Sequence, residues 1–248
     1  MHRLYAAYGT YGRTAGETFE LSGDAKKVRR YFEDYFLERG TGPGLGELME
    51  DLGLGQNRTW DALHQLERGV QVMFVAGTEN FLKMPPFSFV PTRHRVDASD
   101  GRRWYAGCAL EASAFNGLLP GQEVVVTSVC PDCWEPIIMR AKDRAFVDAD
   151  PPEAVIHIGV HPRDFAEDWI VTCDSINFFK SQEHVEIWER TFPEKRGVVM
   201  PISLGPKWVE GIAAIRYWDY DRGPDIVSPR TDMVERFRSV GVDVSPWT

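Results

Sequence analysis

Four cysteines and one glutamate are the residues whose types and spacing suggest chemistry. Cys108, Cys130, Cys133 and Cys173 all lie in the middle of the chain, with none in the first hundred residues and none after Cys173. Cys108 directly precedes a predicted helix, where backbone N–H groups and the positive end of the helix dipole favour a thiolate and predict a lowered pKa. Glu111 follows three residues on, so one helical turn returns its carboxyl toward Cys108. Such a pair is a nucleophile or soft-metal ligand beside a proton donor, although an inert buried cysteine followed by a capping glutamate gives the same pattern. Cys130 and Cys133 form a C-x-x-C at a predicted hairpin turn, half of a zinc knuckle. No second knuckle accompanies it, and His157 and His161 are the histidines available to supplement it. A structural zinc site, a redox pair and a tight turn with unbonded thiols all remain open readings. Cys173 follows a β-rich run and is expected at a strand end or loop, where sites are often built.

These residues need a scaffold, and the hydrophobic pattern supplies one. Residues 24–40 carry Val28, Tyr31, Phe32, Tyr35 and Phe36 on one helical stripe, with Ser22 or Asp24 as N-cap. A breaker run at 40–44 precedes a short helix over 45–52, and Asn57 is expected to cap a third helix bearing Trp60, Leu63 and Leu66. Extended segments at 70–75 and 81–84 complete an order of three helices and a hairpin, a winged-helix-like pattern. The third helix sets Arg58 and Arg68 against Asp61 and Glu67, a balance ill-suited to DNA. The glycines of 42–46 follow no strand, so they make a loop and no dinucleotide fingerprint.

The proline-rich stretch 85–92 reads as a linker. Beyond it, strands are expected at 93–98 and 102–105, then the helix 109–119 and a hairpin whose arms are 123–129 and 135–140. Further strands fall at 154–160 and 198–202, and helices at 181–190 and 207–217. The fold class is therefore α+β: an N-terminal winged-helix-like three-helix domain over 1–84, the linker, a mixed catalytic domain over 93–218 and a C-terminal appendage over 219–248.

Composition narrows the functions. In 248 residues, 28 Lys and Arg stand against 37 Asp and Glu for a net charge of −9, the wrong sign for a protein held by phosphates, so no nucleic-acid partner is expected. No run is apolar enough to span a membrane, and the N-terminus lacks a secretory signal. A cytoplasmic protein with free thiols is the expectation, acting on a small molecule as a monomer or homodimer.

The run Arg103-Trp104-Tyr105-Ala106-Gly107-Cys108-Ala109-Leu110-Glu111 resembles the first active-site motif of the organomercurial (alkylmercury) lyases, Tyr-Ala-x-Cys-Ala-x-Asp opening a helix. Asp168-Trp169-Ile170-Val171-Thr172-Cys173, with Phe178-Phe179 five residues on, is similar to the second, and Val185-Glu186-Ile187-Trp188 also fits. The likeness covers roughly residues 24–215, and its flanking segments resemble an actinobacterial-type set of lyase-like proteins. It implies that Cys108 and Cys173 are paired catalytic thiols that hold the substrate mercury. It places Glu111 where the family has its catalytic aspartate, and implies carbon–mercury protonolysis that requires no organic cofactor. Two other readings stand beside it. One is a scaffold recruited to tailor an aromatic or quinone-like natural product, with some of the eight tryptophans lining its pocket. The other is a non-catalytic thiol protein that binds Zn²⁺, Cu⁺ or Hg²⁺.

Overall fold

The computed structural model describes residues 20–68, 71–75, 77–165, 169–216 and 230–248. Asp168 of the second motif, residues 1–19 of the expected N-terminal domain, the start of the segment expected at 70–75 and much of the expected C-terminal appendage lie outside the described residues. The architecture is α+β.

Three helices come first: α1 (Gly23–Arg39), α2 (Leu45–Leu52) and α3 (Gln56–Arg68). Ser22 is the N-cap of α1, its hydroxyl accepting from the Ala25 N–H at 3.2 Å. Asp24, the other candidate, pairs instead with Arg58 of α3 at 2.8 Å. The apolar stripe of α1 is buried as its spacing requires, with Val28, Phe32 and Phe36 fully inside. Helix α3 begins at Gln56, so Asn57 sits within its first turn and is not its cap.

Eight strands then form one antiparallel sheet: β1 (Met73–Phe74), β2 (Phe81–Met84), β3 (Phe87–Ser88), β4 (His94–Ala98), β5 (Arg103–Ala106), β6 (Val124–Val129), β7 (Pro136–Lys142) and β8 (Ala145–Asp150). Their order is β1-β2-β3-β5-β4-β6-β7-β8. The stretch at 85–92 contributes β3, which pairs with β2 on one side and with β5 through Phe87 and Ala106 on the other. A two-residue strand fits between prolines because so few ladder N–H groups are needed there. Strands β6 and β7 alternate buried and exposed positions along their whole length, as a half-buried sheet requires.

A second sheet holds β9 (Val155–Ile158) between β10 (Ile176–Phe179) and β11 (Val198–Pro201), all antiparallel. Helix α4 (Ala109–Leu118) touches β4, β5 and β6 of the large sheet, β10 of the small one and α7 (Leu204–Arg216). It carries Ala109, Ala112, Ala114 and Phe115 buried around its circumference, the pattern of a helix enclosed on all sides. Three further helices are α5 (Trp169–Asp174), α6 (Gln182–Thr191) and α8 (Arg230–Ser239). No described helix is long and apolar enough to cross a membrane.

Candidate active site

The N-terminus of α4 meets the C-terminal end of α5. Cys108 is the N-cap of α4, its backbone extended (φ −155°), and its sulfur accepts from the Glu111 N–H at 3.4 Å. That bond is an N-cap, made by a thiol in the place usually taken by a hydroxyl or carboxylate. Glu111 is thereby in the first turn of α4, and its carboxyl returns to Cys108. Cys173 approaches from α5, its thiol 3.9 Å from Glu111 Oε1. Ligating atoms of Cys108, Glu111 and Cys173 all lie within 4.8 Å of one another, and all three residues are buried.

Cys173 is on a helix, where the sequence suggested a strand end or loop. Ile170, Val171 and Thr172 favour extended backbone locally, but side-chain bonds within and beside the segment hold the short helix. Thr172 Oγ1 donates to the Phe165 carbonyl at 3.2 Å, Ser175 Oγ donates to the Val171 carbonyl at 2.7 Å, and Asn177 Nδ2 donates to the Asp174 carbonyl at 2.6 Å. The bonds from Ser175 and Asn177 satisfy carbonyls of α5 that a helix of six residues leaves open, and the Thr172 bond ties α5 back to Phe165.

Lys83 of β2 completes the cluster and was missed by sequence reasoning. Its side chain is buried, and Nζ donates to the Gly107 carbonyl at 3.3 Å. Burial works against its charge, but the neighbouring Cys173, Glu111 and Cys108 outweigh that and raise its pKa above the ordinary lysine value. It is therefore an ammonium at neutral pH. The signal in the sequence is register: Lys83 shares a strand face with the buried Phe81, and a charge on the apolar face of a strand needs a partner.

Gly107 makes room for this arrangement. A Cβ on that residue would stand 2.1 Å from Glu111 Oε2 and 2.9 Å from Lys83 Nζ. Only a glycine lets the carboxyl and the ammonium come so close to the backbone.

The Cys108 thiol departs from expectation. Burial raises its pKa well above the ordinary value, the neighbouring Cys173 and Glu111 raise it further, and the Glu111 N–H pulls it down too weakly to compensate. Desolvation outweighs the helix N-terminus.

A cleft of about 260 Å³ leads to the cluster. Lys83, Gly107 and Cys173 form part of its wall, together with Arg93, His94 and Asp174. Cys108 and Glu111 are not in that wall. Arg93 pairs with Asp174 at 3.4 Å. His94 is held neutral, its pKa pushed down to about 3 by burial and then by the nearby Arg93 and Lys83; its Nδ1 lies 3.0 Å from Ser128 Oγ. Among the described residues no tryptophan lines the cleft; Trp104 and Trp208 are core residues.

The C-x-x-C forms a separate cluster. Cys130 and Cys133 lie with His184 of α6, their ligating atoms within 4.8 Å of one another. The histidines weighed from the sequence are engaged elsewhere: His157 Nε2 is 3.0 Å from Glu189 Oε1, and His161 Nε2 donates to the Trp247 carbonyl at 3.3 Å. His184 lies more than fifty residues beyond the C-x-x-C, so local spacing gave no sign of it. All four cysteines are free thiols.

The alkylmercury lyase family model matches residues 87–209. The match contains Cys108, Glu111 and Cys173 and begins just after Lys83. No curated protein matches the chain. Among solved structures, the mercury-bound form of MerB2 is similar, with a TM-score of 0.62 at 19% identity, covering 76% of this chain and 89% of that one. At that identity the likeness speaks for the fold. Through the domain at residues 87–209, the chain belongs to the alkylmercury lyase family of carbon–mercury lyases.

Proposed function

We propose that this protein cleaves carbon–mercury bonds by protonolysis, with Cys108 and Cys173 as the thiols and Glu111 as the proton donor. The observation that carries the reading is the buried convergence of two thiols and one carboxyl within 4.8 Å. Mercury(II) is a soft cation that thiolates bind strongly. A carboxyl beside the two sulfurs is placed to deliver a proton to the departing carbon.

One cysteine, as a thiolate, takes the organomercury cation. Glu111, which keeps its proton while that thiolate is the site's anion, protonates the carbon, and the carbon–mercury bond breaks with its electron pair going to the new C–H bond. The second thiol then passes its proton to the Glu111 carboxylate and closes on the metal, which leaves Hg²⁺ on two thiolates. The contact between the Cys173 thiol and Glu111 Oε1 is in the direction this transfer needs.

Lys83 has a definable part in this sequence. Three acidic groups packed together in a buried site cannot all ionise, and one ammonium balances one anion. The resting cluster thus carries one negative charge on a thiolate or carboxylate, stabilised by Lys83, with protons retained on the others. It holds both a nucleophile and a proton.

The test is an anaerobic incubation of reduced protein with phenylmercury and excess small thiol, following benzene. Release by the wild type and none by Cys108→Ser supports the reading; tight mercury retention without benzene refutes it.

A further inference from the structure

We propose that Cys130, Cys133 and His184 form a zinc-binding site that clamps the β6–β7 hairpin to α6. It is independent of the carbon–mercury chemistry and uses none of the same side chains.

The hairpin turn builds two of the ligands. The Cys130 N–H donates to the Glu135 carbonyl and the Trp134 N–H donates to the Cys130 carbonyl, each at 2.9 Å. Trp134 takes a left-handed conformation, φ 62°, to close the turn. This folds the chain back within five residues and sets both sulfurs on one side, as a zinc knuckle requires. The third ligand arrives from the first turn of α6. The 4.8 Å limit on the separations of the three ligating atoms compares with about 3.8 Å between sulfurs around tetrahedral zinc at Zn–S distances of about 2.3 Å. A side-chain adjustment of about 1 Å closes the site.

The surroundings match the same role. His184 Nδ1 is 2.7 Å from Asp132 Oδ2. A carboxylate holding one ring nitrogen fixes the tautomer and leaves the lone pair on Nε2, the usual support for a zinc-bound histidine. Lys180, just before α6, pairs with Glu135 at the end of the turn, a second tie between the hairpin and this helix. Two thiolates and a neutral imidazole compensate Zn²⁺ fully. Cys130 is buried while Cys133 is partly open to solvent, so a solvent molecule completes the tetrahedron from that side. This donor set is sulfur-rich, and it selects zinc over magnesium or calcium.

The test uses the full chain in a Cys108→Ser, Cys173→Ser background, reduced and stripped with a chelator, so that the buried pair cannot contribute. Titration with Co²⁺ should saturate at one equivalent, with visible bands of tetrahedral intensity and near-ultraviolet thiolate charge transfer, and Zn²⁺ should displace it. Cys130→Ser with Cys133→Ser should abolish the bands. His184→Ala should weaken binding at least tenfold and shift the bands, and Asp132→Asn should weaken it about tenfold to a hundredfold. In the wild-type protein, Zn²⁺ should protect Cys130 and Cys133 from alkylation in peptide mapping, a reading that needs no variant to fold. No stoichiometric binding, binding indifferent to His184→Ala, or alkylation unaffected by Zn²⁺ would each overturn the proposal.

Discussion

Glu111 and Lys83 decide whether the two thiols are chemically competent. Removing the acidic proton with Glu111→Gln should leave mercury binding largely intact and lower turnover by about 10²–10⁴-fold, the range for loss of a general acid. Single-turnover benzene release separates the two quantities. Glu111→Asp withdraws the carboxyl by about 1–1.5 Å. Because the backbone here is built around the longer side chain at Gly107, this variant should lose about a hundredfold in rate. Lys83→Met removes the ammonium from a buried acidic cluster, so the reaction of the site thiols with an alkylating agent should move to higher pH; an unchanged profile would remove Lys83 from the account. At this scale Cys108, Glu111 and Cys173 were legible because motif spacing and a helix start define them. Lys83 was not, since a lone lysine on a short strand looks like a surface residue until its neighbours across the sheet are known. The lowered pKa expected for Cys108 also failed, because local sequence shows the helix end and not the burial that overrides it.

The elements that hold the site have little tolerance. Gly107 joins β5 to α4 and lies against both Glu111 Oε2 and Lys83 Nζ. Gly107→Ala should therefore cost more in activity than in stability: a fall of about tenfold to a hundredfold in kcat with a small change in Tm, checked by pairing benzene kinetics with thermal unfolding. Helix α4 was readable from sequence, with Cys108 just before its start; that the Cys108 sulfur caps it was not read. Helix α5 was not. Its β-branched residues favour a strand, and the side-chain bonds that close its last turn are made by Ser175 and Asn177, just past its end. Strand β8 was also missed: most of its residues are exposed, so it carries no apolar alternation to read. The prolines of 85–92 concealed β3 for a related reason, since a two-residue strand needs almost no ladder donors.

For the whole molecule, buried titratable groups set how stability varies with pH. His94 is neutral in the folded protein, with a pKa near 3 from burial and neighbouring cations, against about 6.5 when unfolded. Below pH 6.5 the unfolded chain takes up a proton that the folded one refuses, so stability falls as pH drops from 6.5 toward 3, by up to about 1.4 kcal/mol per pH unit for one such group. His157 is shifted in the same direction by burial, partly opposed by Glu189. Glu33 acts at the other end. Burial lifts its pKa to about 9, with Arg29 opposing, so the folded state keeps a proton that the unfolded state releases above about pH 4.5. Its contribution falls as pH rises from 4.5 to 9. Urea unfolding across pH 4–9 should give a maximum between the two limbs, and Glu33→Gln should flatten the alkaline limb while leaving the acid limb in place. The α+β class and the order of most elements were legible because amphipathic periods carry them. The joining of β2 to β5 through β3, which brings Lys83 to the thiols, is a long-range pairing that no local pattern encodes.

The most direct test of carbon–mercury protonolysis follows the proton itself. Reduced protein is equilibrated in D₂O, mixed anaerobically with phenylmercury and excess thiol, and the volatile product is collected for mass spectrometry. The account predicts benzene carrying a single deuterium from the wild type, none from Cys108→Ser, and a greatly slowed release from Glu111→Gln. Phenylmercury held unchanged by the wild-type thiols, or benzene formed at the same rate without Cys108, would contradict it.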